Sequence, residues 1–125
     1  SELLMENDAE RIQQILWNVV ENAIKFTEKG DIFINLKKDD NHIIFIISDT
    51  GIGIPKSKQH LVFERFRQLD ESAKKKYGGT GLGLYYAKRM VELLGGSITL
   101  ESEKGKGSVF FVKIPVCLKY ESAFH

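Results

Sequence analysis

Apolar residues recur at helical spacing through the first part of the chain: Ile12, Ile15, Leu16, Val19, Val20, Ala23 and Phe26. At about 100° per residue they form one stripe, which predicts an amphipathic helix over 8–27. Asn7 or Asp8 is placed to cap it, and Glu10 follows Asn7 by three positions, close to a capping box. The period then changes to two. Ile32, Ile34 and Leu36 alternate with Asn35 and Lys37, the pattern of a half-buried strand. Residues 43–47 are an unbroken Ile-Ile-Phe-Ile-Ile run, as in a central strand. Helical spacing returns at Leu84, Ala87, Val91 and Leu94, predicting a helix over 82–94 that Gly95-Gly96 stops. A hairpin follows, with strands over 97–102 and 109–114 around Lys104-Gly105-Lys106-Gly107. The long segment 51–81 predicts a short helix near 57–66 and then a stretch without apolar periodicity. Loops of that length inside compact domains are usually functional.

Helix, two strands, long loop, helix, two strands is the order of an α+β domain. It suits a two-layer sandwich with helices on one face of a mixed sheet. The 125 residues suffice for one domain with a single core. We place that domain at 1–118, with 119–125 as a tail. Charge changes little, since 18 basic against 17 acidic residues leave +1 and no pull toward nucleic acid or a membrane surface. Lys74-Lys75-Lys76 reads as a solvated loop. The lone Cys117 rules out an internal disulfide framework and fits a reducing compartment. No apolar stretch reaches the ~18 residues of a membrane span, and the N-terminus lacks signal-peptide anatomy. The expectation is a soluble, cytoplasmic domain, whatever membrane part a longer parent carries.

Three places carry candidate chemistry. Asn18, Asn22 and Lys25 fall within an arc of roughly 60° on the first helix, at the border of its apolar stripe. Two amides and an ammonium there face a cavity or form an ordinary polar flank. Asp49 ends the apolar strand and enters Thr50-Gly51-Ile52-Gly53. A carboxylate at the edge of a core can accept a hydrogen bond from the exocyclic amine of adenine, and glycines let the backbone turn tightly against a flat ligand. A plain turn after a strand uses the same residues. Asp-Thr-Gly is also the triplet of aspartic proteases, but the long helix does not fit their mostly β fold. Gly79-Thr80-Gly81-Leu82-Gly83 precedes a helix, so free N–H groups and the helix dipole converge where phosphates can sit. It is neither a Walker loop nor a dinucleotide fingerprint.

Taken together, Asn18-x-x-x-Asn22-Ala23-x-Lys25-Phe26, Asp49-Thr50-Gly51-Ile52-Gly53-Ile54-Pro55, Phe63-Glu64-Arg65-Phe66 and Gly79-Thr80-Gly81-Leu82-Gly83-Leu84 follow one another in a fixed order. That order and spacing resemble the N, G1, F and G2 boxes of the catalytic, ATP-binding domain of sensor histidine kinases. Those domains belong to the gyrase, chaperone, histidine kinase and MutL group and share the Bergerat fold. The resemblance spans about 8–116 and implies the cofactors ATP and Mg²⁺. It implies that the Asn22 carbonyl oxygen binds Mg²⁺, that Asn18 supports phosphates and metal, and that Lys25 neutralises phosphate charge. Phe26, Asp49, Gly51, Gly53, Ile54 and Phe66 belong to the expected nucleotide site, with Thr80, Gly81, Leu82, Gly83 and Leu84 at the phosphates. The stretch from Phe66 to Gly79 is expected to act as a lid, and Phe63 and Phe66 to anchor it to the core.

Hydrolytic members of the group carry a water-activating Glu four residues before the metal Asn. This chain has Asn18 there, with Glu21 roughly 60° further round the helix, which favours a kinase over a dedicated ATPase. None of His42, His60 and His125 lies in a phosphoacceptor-like helix. The acceptor histidine is therefore expected on a separate dimerisation domain of the same parent, with a response-regulator receiver domain downstream, and the isolated domain is expected to be a monomer. The alternatives are an ATP-binding module whose parent no longer phosphorylates, and a MutL-like or gyrase-like clamp.

Overall fold

The computed structural model describes residues 6–39, 41–64 and 83–115. The first helix, α1, spans Glu6–Phe26. Because it already includes Asn7 and Asp8, neither residue stands before the helix as the cap that the sequence suggested. Strands β1 (Ile32–Lys38) and β2 (His42–Asp49) follow, then a 3-10 helix at Lys56–Leu61. Helix α2 (Gly83–Leu93) and strands β3 (Ser97–Glu103) and β4 (Gly107–Pro115) complete the described fold.

The sheet has four strands in the order β1-β2-β4-β3. Every pairing among the described residues is antiparallel, where a mixed sheet was expected. The connections account for two of the three pairings. A short turn joins β1 to β2, another joins β3 to β4, and such links permit only antiparallel neighbours. The two hairpins then dock through β2 and β4, with Ile47 opposite Phe110 and Asp49 opposite Ser108.

Helices cover one face. Ile15, Val19 and Ala23 of α1 and Leu84, Ala87 and Val91 of α2 are buried against Ile47, Ile98, Phe110, Val112 and Ile114 of the sheet. Ile44 and Ile46, on the opposite face of β2, are only partly buried. Phe110 is fully enclosed and meets the Phe63 ring edge-on, with centroids 6.1 Å apart. Phe63 thus anchors the start of the long loop to the core, as expected, whereas Phe66 lies outside the described residues. Helix α2 ends as its glycines suggested. Gly95 sits at φ +82, and the N–H groups of Gly95 and Gly96 donate to the carbonyls of Glu92 and Val91.

Strand β1 departs from its sequence pattern. Ile34 and Leu36 are 59% and 62% exposed, and Phe33 on the other face is 55% exposed. Alternation places Ile34 and Leu36 on the helix side, but β1 is the edge strand. Helix α1 packs on β2 and β4, and α2 on β3 and β4, so only Ile32 of β1 reaches the core. Truncation separates the two kinds of apolar strand position. Phe110→Ala is expected to cost about 3–5 kcal/mol in urea denaturation. Leu36→Ala is expected to cost under about 1 kcal/mol. Equal losses would place Leu36 in the core after all.

Candidate functional site

Asn18, Asn22 and Lys25 lie on α1 beside the fully buried Ile15, Val19 and Ala23, and all three are half-buried. This is the border position that the helical spacing predicts. Asn18 Oδ1 accepts a hydrogen bond from Gln14 Nε2 at 2.9 Å, a bond that does not use its amide N–H₂. Lys25 stands in the last turn of α1, where a cation also complements the carbonyl end of the helix dipole.

The loop after β2 is bound to α1 by backbone. Ile52 N–H donates to the carbonyl of Phe26 at 3.2 Å. Gly51 passes so close that a Cβ there would lie 2.1 Å from the Phe26 oxygen. The same loop is bound to the β3–β4 hairpin on its other side. Gly105 N–H donates to the Ile52 carbonyl at 2.6 Å, and Ile54 N–H donates to Ser102 Oγ at 2.8 Å. At Gly53, φ is +71 and a Cβ would meet the Glu103 oxygen at 2.0 Å. Gly51 and Gly53 are therefore demanded first by the close approach of the chain to itself. Ile54 is a core residue that holds the loop down from behind.

Three polar residues that the sequence reading did not single out complete this support. Ser102 Oγ lies 2.8 Å from Ser108 Oγ and donates to the Gly107 carbonyl at the same distance. Gln59 Nε2 donates to the carbonyls of both Ile54 and Ser102 at 2.9 Å. Nothing in the residue types marks them. Their role follows from the β3–β4 register and from the 3-10 helix, neither of which spacing alone fixes.

Asp49 and Ser108 are the buried polar residues of the described core, 7% and 6% exposed. Asp49 Oδ1 accepts from Gly51 N–H at 2.9 Å, which fixes the carboxylate at the mouth of the loop. Burial pushes its carboxyl above the ordinary value of 3.8, while the N–H groups of Gly51 and Ser108 and the Thr27 hydroxyl favour the charged form.

Phe26, half-buried, ends α1 where the loop attaches. Helix α2 begins at Gly83, where a Cβ would meet nothing within 4 Å among the described residues, and Leu84 turns into the core behind that terminus. Phe66, Thr80, Gly81, Leu82 and the expected lid lie outside the described residues. No group of three or more His, Cys, Asp or Glu side chains suited to a metal occurs among the described residues. A metal here would take its protein ligands from neutral amide oxygens, and most of its shell from phosphate and water. That donor set fits Mg²⁺, which keeps several waters and binds few protein groups.

Residues 7–118 match the model of the histidine kinase-, DNA gyrase B- and HSP90-like ATPase family. The chain is 51% identical over 109 residues to the circadian input-output histidine kinase CikA of Synechococcus elongatus, covering 86% of this chain and 14% of that protein. It is 43% identical over 118 residues to the autoinducer 2 sensor kinase/phosphatase LuxQ of Vibrio vulnificus, covering 90% of this chain and 14% of that one. Among solved structures, full-length ShkA in complex with AMPPNP superposes with a TM-score of 0.75 at 33% identity, over 87% of this chain and 22% of that one. The catalytic domain of histidine kinase ThkA gives 0.73 at 32% identity, over 87% and 69%. The chain belongs to the histidine kinase-, DNA gyrase B- and HSP90-like ATPase family and matches the catalytic ATP-binding domain of sensor histidine kinases. It spans about one seventh of the length of these two kinases. No described helix is long and apolar enough to cross a membrane.

The raised Asp49 carboxyl makes stability depend on pH in a definite sense. A carboxyl whose folded-state pKa is raised costs stability above that pKa, and the cost vanishes below the unfolded value. Asp49→Asn is therefore expected to leave the Tm at pH 7 equal to or above wild type. The gap should close as the pH falls toward 3.8. A lower Tm at pH 7, measured by calorimetry, would mean that the ionised carboxylate contributes net stability.

Proposed function

We propose that this chain binds Mg-ATP and donates the γ-phosphate to a histidine on a separate dimerisation domain of a two-component sensor kinase. The observation that carries the reading is the buried Asp49 carboxylate, held by Gly51 N–H in a loop that is bonded to the end of α1. A desolvated acceptor fixed beside a half-buried Asn18–Asn22–Lys25 face puts base recognition and phosphate recognition on adjoining walls.

Each residue then has a separable task. Asp49 accepts from the exocyclic amine of adenine, and Phe26 lines the base. Asn22 offers its amide oxygen to the metal, Asn18 its N–H₂ to phosphate oxygen, and Lys25 its positive charge. The N-terminus of α2, with Gly83 at its mouth, offers backbone N–H groups to the phosphates; Leu84 and the motif residues Thr80, Gly81 and Leu82, which lie outside the described residues, are assigned to that end of the site by the resemblance. Magnesium held at Asn22 would supply charge neutralisation to the phosphates. The protein's part in phosphoryl transfer is positioning and electrostatic stabilisation. The nucleophile comes from elsewhere. Asn18 cannot act as a base toward water, His60 is exposed on the 3-10 helix, and His42 opens β2 paired with Asp39 at 3.7 Å. A response-regulator receiver domain is the downstream partner in this reading, and the isolated chain is a monomer in the cytoplasm.

Two measurements test the proposal. Calorimetry on Asn22→Ala is expected to show weaker ATP binding in Mg²⁺, by about tenfold or more, with little change in chelator. Equal losses in both conditions remove Asn22 from the metal. With γ-labelled ATP, the chain alone should incorporate no label. Addition of its parent's dimerisation domain should yield an acid-labile, base-stable phosphohistidine on that domain. Label on a histidine of this chain itself would refute the division of labour.

A further inference from the structure

The loop after β2 is held in two different ways. At Ile52 both peptide groups bond to backbone, the N–H to the Phe26 carbonyl and the carbonyl to Gly105 N–H. At Ile54 both bond to side chains. Its N–H donates to Ser102 Oγ at 2.8 Å, and its carbonyl accepts from Gln59 Nε2 at 2.9 Å. Gly53 lies between the two at φ +71, in a region that side chains disfavour. Gln59 is half-buried on the 3-10 helix, whose Lys56, Ser57, Lys58 and His60 are exposed. Its amide also donates to the Ser102 carbonyl at 2.9 Å. Both partners are carbonyls, which only accept, so the amide has one orientation and spends both its protons. Ser102 is spent in the same way. Its Oγ accepts from Ile54 and donates to the Gly107 carbonyl, so Ser108 is the donor in their 2.8 Å contact. Ser108 is the register partner of Asp49 on β4.

We infer that Gln59 is a positioning residue for base recognition, clamping Ile54 to β3 and thereby holding the Gly51 N–H on the Asp49 carboxylate. Gly51 N–H donates to Asp49 Oδ1 at 2.9 Å. The chain between them and Ile54 is short and contains two glycines, which supply conformational freedom that the ends must remove. Strand β2 fixes the Asp49 end. Gln59 and Ser102 fix the other, on a residue whose own peptide has no backbone partner in the sheet. With Ile54 released, Gly53 becomes a pivot, and the Gly51 bond to Asp49 loses its support from that side. Gln59 acts from outside the site, since its bonds go to Ile54 and Ser102 and reach Asp49 through the loop. The inference rests on the reading of Asp49 as the adenine acceptor.

The test uses the intact chain at pH 7 with two variants. Gln59→Met keeps the length and bulk without the donors. Gln59→Glu keeps the shape but sets a carboxylate against two carbonyls. Amide hydrogen exchange without nucleotide, resolved by NMR, reads the clamp itself. In Gln59→Met the Gly51 and Ile54 amides should exchange roughly tenfold faster or more, while those of Val19 in α1 and Val112 in β4 keep their wild-type rates. An unmoved Gly51 amide, or equal acceleration at all four, overturns the inference. Gln59→Glu should loosen Gly51 at least as much; if it tracked wild type, the side chain would act by bulk alone and the inference would fall. Calorimetry with ATP and with purine riboside triphosphate, which lacks the exocyclic amine, reads the consequence. Gln59→Met should weaken ATP by roughly threefold to tenfold, as for a lost neutral hydrogen bond, and the analogue by less than about twofold. Equal losses for the two nucleotides would overturn the role in base recognition. Failure of the Asp49 reading has its own signature, because wild type would then bind ATP and the analogue equally well, whatever the Gly51 amide does in Gln59→Met.

Discussion

The peptide of Ile52 holds the site together. Its N–H reaches the last carbonyl of α1, and its carbonyl takes the N–H of Gly105 in the β3–β4 turn. One residue thus ties the helix that carries Asn18, Asn22 and Lys25 to the hairpin that carries Ser108. Both bonds are short-range and directional, so they set the separation of the two walls more tightly than side-chain packing can. The glycines follow from this constraint. Gly51 and Gly53 exist where a Cβ would strike the oxygens of Phe26 and Glu103, and Gly107 where it would strike that of Asp49. A single added methyl at any of the three would push apart elements that the site needs in register.

Against that rigid frame stands a costly group. A carboxylate only 7% exposed at the end of β2 is not what a core optimised for stability would contain. Among the described residues it is compensated by neutral backbone N–H groups, Gly51 N–H at 2.9 Å among them, and not by a counter-ion. Neutral donors lower the cost of ionisation but leave the negative charge available to a ligand. An arginine there would stabilise the fold and cancel the acceptor. The arrangement sacrifices some stability to keep a usable charge in a dry place, as perturbed groups at functional sites commonly do.

Much of this was legible before any coordinates. The stripe from Ile12 to Phe26 located α1 and put Asn18, Asn22 and Lys25 at its border, because helical period and burial are linked by geometry alone. Gly95-Gly96 marked the end of α2, and Asp49 stood out at the end of an apolar run. Strand β1 misled because alternation reports which face a residue shares, not whether anything covers it; that depends on the helix footprint, a tertiary fact. The supposed caps Asn7 and Asp8 failed for a related reason, since good capping residues are tolerated inside a helix. Strand direction needed the connections as well as the pattern. Ser102 and Gln59 were invisible as functional residues, because their bonds to Ile54 N–H and to the Ser102 carbonyl join elements distant in sequence.

The same separation explains how one scaffold can serve transfer or hydrolysis. The frame is built from backbone bonds and glycines, which are indifferent to what happens at the γ-phosphate. In the proposed reading, base recognition depends on Asp49, which stands at the end of β2 and not on the α1 border that meets the phosphates. In that reading, what distinguishes a water-activating site from a phosphoryl donor is a carboxylate on the border of α1, at the position of Asn18. That position is half-buried and its amide already bonds Gln14 within the same helix, so a change there disturbs neither the core nor the Ile52 bonds. Chemistry placed at such a position can vary while the fold and the nucleotide preference stay fixed. In the proposed reading, an amide in that place leaves a bound triphosphate without a resident base, and the nucleophile is supplied by whichever domain is brought against the site.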